Sequence, residues 1–112
     1  MVDYIPARGH FIQLRFDPQV GHEQMGTRPA LVVSHSKFNQ KRGFVFVCPV
    51  SNTKRKNPFY INIPEGSIPV TGVIMADQLR SLDYRARGAE FITECPDALL
   101  LEVLMRIKPI IF

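Results

Sequence analysis

Residues 10–17 set Phe11, Gln13 and Arg15 against Ile12, Leu14 and Phe16, a repeat of two that only an extended strand turns into two faces. The same short scale recurs along the chain and dictates its class. Residues 29–35 and 43–50 are near-continuous apolar or β-branched runs, as expected of strands covered on both faces. Residues 58–63 place Phe59, Ile61 and Ile63 against Tyr60 and Asn62 as a fourth strand, and residues 70–77 make a fifth. Residues 78–82 and 89–93 are shorter candidates on either side of the turn-like Asp83-Tyr84-Arg85-Ala86-Arg87-Gly88. Lys41-Arg42-Gly43, with Asn39-Gln40 leading in, reads as a hairpin turn between the second and third strands. Short strands at close spacing predict a mainly β fold, a small closed barrel.

The C-terminus changes period. Pro96 is favoured at the first position of a helix and Asp97 in its first turn. Residues 98–108 then carry leucine, valine, methionine and isoleucine around most of the circumference, with Glu102 and Arg106 as a narrow polar stripe. A helix this apolar on a small barrel needs a second buried face, and a second copy of the chain supplies one, so a homodimer is expected. At 112 residues the chain reads as one domain, 1–112, without repeats or a linker. Hydrophobic content of 46% with 21% charged residues excludes a disordered chain. No apolar run approaches the roughly 20 residues that span a bilayer. The start, Met1-Val2-Asp3-Tyr4-Ile5-Pro6, has no signal pattern, so the expectation is a cytoplasmic protein without membrane association. Cys48 and Cys95 read as lone buried thiols.

Candidate chemistry concentrates in loops. Gly21-His22-Glu23-Gln24-Met25-Gly26-Thr27-Arg28-Pro29 puts an imidazole, an acid, an amide and a guanidinium into one glycine-bracketed segment. Pro29 removes a backbone donor and biases Arg28 toward an extended conformation, fixing the arginine where loop meets strand. A second polar loop, Ser51-Asn52-Thr53-Lys54-Arg55-Lys56-Asn57, follows the third strand, and Asp77-Gln78 leave the fifth. The formal net charge is +4 and the cations cluster at Lys41-Arg42, at Lys54-Arg55-Lys56 and around Arg80, Arg85 and Arg87. Clusters of this kind suit a phosphate backbone, and Phe16 with Phe38 or Tyr84 suits base stacking. His10, His22 and His35 are too far apart in sequence to match a paired-ligand pattern, and no G-x-S-x-G elbow, P-loop or dinucleotide fingerprint occurs.

Several of these segments also carry a resemblance. Phe16-Asp17-Pro18, Gly21-His22-Glu23-Gln24, Arg28-Pro29-Ala30-Leu31-Val32-Val33, the run Gly72-Val73-Ile74-Met75-Ala76-Asp77-Gln78-Leu79-Arg80-Ser81 and Arg85-Ala86-Arg87-Gly88-Ala89 follow in order over nearly the whole chain. In these the chain resembles the MazF/PemK family of toxins. The resemblance implies an SH3-like barrel with added short helices. It implies a homodimeric, metal-independent endoribonuclease that needs no cofactor and is held in check by a cognate MazE-like antitoxin with an acidic, flexible C-terminal segment. Such enzymes cut single-stranded RNA at short sequences and leave 2′,3′-cyclic phosphate and 5′-hydroxyl ends. Carried over by position, Arg28 falls on the catalytic arginine and Glu23 on the loop glutamate associated with activity. Gln24, Asp77 and Gln78 fall on the substrate groove. Phe16, Asp17, Pro18, Thr53, Lys54, Arg55 and Lys56 complete the expected substrate contacts. The family's catalytic threonine meets Ser51, a departure that keeps the hydroxyl but leaves Thr53, two residues on, as a second candidate for it.

Cleavage to a cyclic phosphate needs a base for the 2′-hydroxyl, cationic donors for the phosphorane and an acid for the departing 5′-oxygen. Arg28 suits charge stabilisation, because its planar fork matches phosphate oxygens. Glu23 and His22 are the two candidates for the base. Two other classes share the scaffold: a CcdB-like toxin that binds DNA gyrase, and an RNA-binding barrel that does not cut. The first uses a tryptophan-bearing C-terminal tip, whereas this chain has no tryptophan and ends Pro109-Ile110-Ile111-Phe112.

Overall fold

The computed structural model describes residues 3–16 and 27–112. The elements run β1 (His10–Leu14), β2 (Arg28–Val32), α1 (Ser36–Arg42), β3 (Phe44–Ser51), β4 (Tyr60–Asn62), β5 (Val73–Met75), a 3-10 turn (Ala76–Gln78), β6 (Arg80–Asp83), β7 (Glu90–Glu94) and α2 (Asp97–Ile111). The described strand pairs are antiparallel, in the order β4-β5-β3-β2-β1-β7, with β6 also on β3. The chain is thus mainly β with two α-helices, as the strand periodicity predicts.

β3 is the spine. One edge pairs with β2, while the other pairs with β6 over Phe44–Val47 and with β5 over Val50–Ser51. The change of partner falls at Cys48 and Pro49. A proline, which has no N–H to give, is tolerated in a central strand at such a break in the ladder.

Strands β1 to β3 feed two cores from opposite faces. Phe11, Leu31, Cys48 and Val50 join Ile61, Ile74 and the Leu99, Val103 and Ile107 row of α2. Ile12, Leu14, Ala30, Val32, Val45 and Val47 join Leu82 and Tyr84 on the other side. This is why β2 and β3 read as continuous apolar runs and not as alternating ones. Leu99, Val103 and Ile107 recur every fourth residue, which puts them on one stripe of α2. Leu101 and Met105 sit on the outward side, 60% and 56% exposed.

Four expectations need correction. The hairpin turn expected at Lys41-Arg42-Gly43 is the end of α1, capped by Gly43 in the left-handed region (φ 75°), whose N–H donates to the Asn39 carbonyl at 2.8 Å. What holds α1 is a polar residue. Asn39 is fully buried, accepts from the Ser34 hydroxyl at 2.6 Å and donates to the Pro6 and Ser34 carbonyls at 2.8 and 3.2 Å. The fifth strand is shorter than 70–77, because Ala76, Asp77 and Gln78 turn into the 3-10 element. The fourth strand is only three residues, Tyr60–Asn62, inside the expected 58–63. Pro96 lies one residue before the helix, and α2 runs on through Pro109, which sits in the last turn and removes one late helix hydrogen bond.

Candidate active site

The position of Arg28 follows from strand register. In the β2–β3 ladder Leu31 faces Cys48 and Ala30 faces Pro49. The pairing ends at Ala30 and Pro49; counted on in the same register, Arg28, the first residue of β2, and Ser51, the last of β3, come level with each other. Residues level in an antiparallel register point to the same face. Ser51 pairs in turn with Val73 on β5, and Val73 with Asn62 on β4, while Arg28 pairs with Leu14 on β1. Two rungs, Leu14–Arg28 and Ser51–Val73–Asn62, therefore end level with each other on either side of the β2–β3 seam. Arg28 is exposed and Ser51 half-buried, at an end of the sheet open to solvent.

Both candidate hydroxyls lie in Ser/Thr turns. The Ser51 hydroxyl oxygen accepts from the Thr53 N–H at 3.1 Å, and the Thr53 oxygen accepts from the Arg55 N–H at 3.1 Å. These turns fix both side chains and use only their acceptor side, so each O–H is left to donate to an incoming phosphate oxygen. The register favours Ser51 over Thr53, because only Ser51 lies on a strand level with Arg28. Lys54, Arg55 and Lys56 follow on the exposed part of the loop. The far end of the loop is tied down by Asn57, whose amide donates to Asp77 Oδ2 at 3.3 Å, and by Arg106 of α2, which donates to the Pro58 carbonyl. Asp77 and Gln78 are exposed on the 3-10 turn after β5.

Phe16 is fixed by cations. The Arg80 guanidinium lies 5.3 Å from its ring centroid, and Arg87 donates to the carbonyls of Phe16 and, at 3.1 Å, Arg15. Arg15 returns a bond to the Ala86 carbonyl at 2.7 Å. Part of the third basic cluster is thus spent on holding the end of β1. Asp17, Pro18, His22, Glu23 and Gln24 lie outside the described residues. Asn57, Arg80, Arg87 and Arg106 were not among the expected site residues. The arginines at 80 and 87 belonged to a visible charge cluster, whereas nothing in the sequence links Asn57 to Asp77 or Arg106 to Pro58.

Other titratable groups have structural roles. Tyr4 donates its hydroxyl to His10 Nδ1 at 2.7 Å and the Ala7 N–H donates to the same nitrogen at 3.2 Å, which keeps the proton of the neutral ring on Nε2. Burial lowers the His10 pKa from its ordinary value, with Glu94 acting in the opposite direction. Burial pushes the Cys48 thiol up to about 12, helped by the charge of Asp77, and the Cys95 thiol up to about 11, helped by Asp97. Both cysteines are free and buried. Among the described residues no three His, Cys, Asp or Glu side chains converge to hold a metal ion. No helix among them is long and apolar enough to cross a membrane.

An exposed arginine level with a hydroxyl, with cations along the adjoining loop, suits a phosphate. The family described as PemK-like, MazF-like toxin of type II toxin–antitoxin system matches residues 7–111. Endoribonuclease PemK from Escherichia coli is 36% identical over 107 residues, covering 93% of this chain and 80% of that protein. Endoribonuclease toxin MazF from Escherichia coli is 38% identical over 86 residues, covering 77% and 76%. A crystal structure of MazE–MazF from Deinococcus radiodurans has a chain that matches with a TM-score of 0.89 at 42% identity, covering 96% of both chains.

Proposed function

The chain belongs to the family of PemK-like, MazF-like toxins of type II toxin–antitoxin systems, and on that premise we propose how this toxin endoribonuclease cuts RNA. The observation that carries the reading is the β2–β3 register, which brings Arg28 and Ser51 level at the open end of the sheet. The substrate is single-stranded RNA, cut at a short sequence. The 2′-oxygen gives its proton to a base and attacks the adjacent phosphorus, the P–O5′ bond breaks as the 5′-oxygen takes a proton from water, and the products carry 2′,3′-cyclic phosphate and 5′-hydroxyl ends.

Arg28 presents its fork to the non-bridging oxygens, where negative charge grows in the phosphorane. It stays charged throughout and so does not serve as the base. Ser51 donates its O–H to one of those oxygens, with its own oxygen held by the Thr53 N–H. Phe16, Asp77, Gln78 and the cations at 54–56 line the path of the strand on either side. Glu23 and His22 are the candidates for the group that takes the 2′-proton. Hydroxyl, guanidinium and carboxylate or imidazole suffice for this chemistry without a metal or cofactor.

The chain works in the cytoplasm and as a homodimer, and the reason for the homodimer lies on α2. Leu101 and Met105 project from the side opposite the core, and Phe112 at the helix end is 93% exposed. A second copy covers that stripe. The cationic groove also suits an antitoxin of the MazE kind, with an acidic flexible segment along the path of the RNA. To test the reading, the purified protein is incubated with a defined transcript in EDTA and the ends are analysed. Cleavage with cyclic-phosphate ends supports it, and binding without cleavage or gyrase-dependent DNA breaks would overturn it.

A further inference from the structure

The rung that starts at Ser51 runs through Val73 to Asn62, two strand spacings of about 4.8 Å further on. There a cavity of about 600 Å³ opens between the start of the β3–β4 loop and the β4–β5 connection. That volume is within the range of about 300–1,000 Å³ typical of small-molecule sites. We propose that this cavity is a base-reading pocket, entered by one splayed nucleobase next to the scissile phosphate and selecting bases that carry an exocyclic amino group. The proposal rests on the ribonuclease reading above.

The walls have the chemistry that a base requires. Pro64 and Val73 give an apolar side for the ring face. The carboxamides of Asn52 and Asn62 each offer a donor beside an acceptor, the pairing that matches adenine N7 and N6. Glu65, an acceptor when ionised, receives an amino N–H, as a carboxylate does from cytosine N4. Uracil would set carbonyl oxygens against the same carboxylate. Lys54 stands at the wall beside Asn52, where the backbone phosphates pass.

The pocket is built, not incidental. Gly72 holds φ at +113°, and a Cβ there would lie 2.3 Å from the Ser51 carbonyl oxygen and 2.8 Å from Asn52 Oδ1. The glycine lets the Asn52 carboxamide lie against the backbone directly after the catalytic hydroxyl. The Ile63 N–H donates to the Gly72 carbonyl at 3.0 Å and fixes the opposite wall to the same residue. The reacting phosphate and the selected base are thereby read by adjacent residues of one chain segment.

The experiment is cleavage of an RNA library randomised over several positions, with sequencing of the cut ends. Wild type is expected to exclude uracil at one position beside the cut. Asn62→Ala and Glu65→Gln are expected to lower discrimination at that position by about tenfold or more, while preferences elsewhere persist. Thr71→Val, a near-isosteric change on the same lining, is expected to shift that position and no other. Equal uracil use by the wild type at every position would overturn the pocket, as would a profile unmoved by all three variants or relaxed equally everywhere. A library left uncut by the wild type would overturn the ribonuclease reading, and the pocket's role with it.

Discussion

Replacing Gly72 with alanine tests the packing that joins the site to the sheet. The new Cβ would meet the Ser51 carbonyl oxygen at 2.3 Å and Asn52 Oδ1 at 2.8 Å, at a φ of +113°. Side chains rarely adopt that backbone conformation, and the strain costs about 1–3 kcal/mol. The overlap adds roughly 1–3 kcal/mol of overpacking, because Ser51 is held by its pairing with Val73 and has no free direction to move. The sum is about 2–6 kcal/mol, or a fall in Tm on the order of 10–25 °C for a domain of this size. Gly43→Ala is the control: its φ is +75° but nothing lies within 4 Å of the added carbon, so only backbone strain is incurred. Thermal unfolding by circular dichroism gives the two shifts. Cleavage measured well below both transitions should fall further for Gly72→Ala than the unfolded fraction explains, since Ser51 is the group displaced. A Gly72→Ala protein as stable and as active as Gly43→Ala would refute the reasoning.

Two further expectations follow from a buried asparagine and a half-buried histidine. Asn39→Ala leaves the Ser34 hydroxyl and the Pro6 and Ser34 carbonyls without their partner, and should destabilise the fold by about 2–4 kcal/mol, visible as a lower urea midpoint with an unchanged slope. A midpoint within error of wild type would mean that α1 is not held by Asn39. The lowered pKa of His10 means that the unfolded chain takes up this proton first as pH falls. Its contribution is therefore intact above the ordinary histidine value of 6.5 and is lost as pH drops below it. The Tm of His10→Phe should fall less than that of wild type between about pH 7.5 and about pH 5, and parallel curves would remove His10 as a source of acid sensitivity.

The sequence carried some parts of this structure and could not carry others. β1 was legible because Gln13 and Arg15 interrupt one of its faces, and β2 and β3 because both of their faces are apolar but for Arg28 and Ser51 at their ends, each case leaving its own pattern. α1 was not, since its two turns lack a side-chain cap and are anchored by a buried asparagine where a helix stripe would be apolar. Arg28 was legible at a strand start because Pro29 follows it. The register that brings it level with Ser51 was not, because register depends on which strands pair and how, and a single sequence leaves that open. The cluster at Arg80, Arg85 and Arg87 shows the limit of reading charge. Arg87 spends its donors on the carbonyls of Arg15 and Phe16, and so clasps β1. The Asn57–Asp77 and Arg106–Pro58 ties join residues 20 and 48 positions apart, beyond any local pattern.

The most direct measurement of the central claim is cleavage of a defined single-stranded transcript, in EDTA, by wild type and Arg28→Ala. Arg28 is exposed at the strand start, so its truncation leaves both cores intact and the unfolding transition in place. Loss of a donor aimed at developing charge costs about 10²–10³ in rate, and loss of a charged fork at least that much. The account expects wild type to yield 2′,3′-cyclic phosphate ends and folded Arg28→Ala to be slower by that factor or more. A folded Arg28→Ala protein that cuts at the wild-type rate would contradict it.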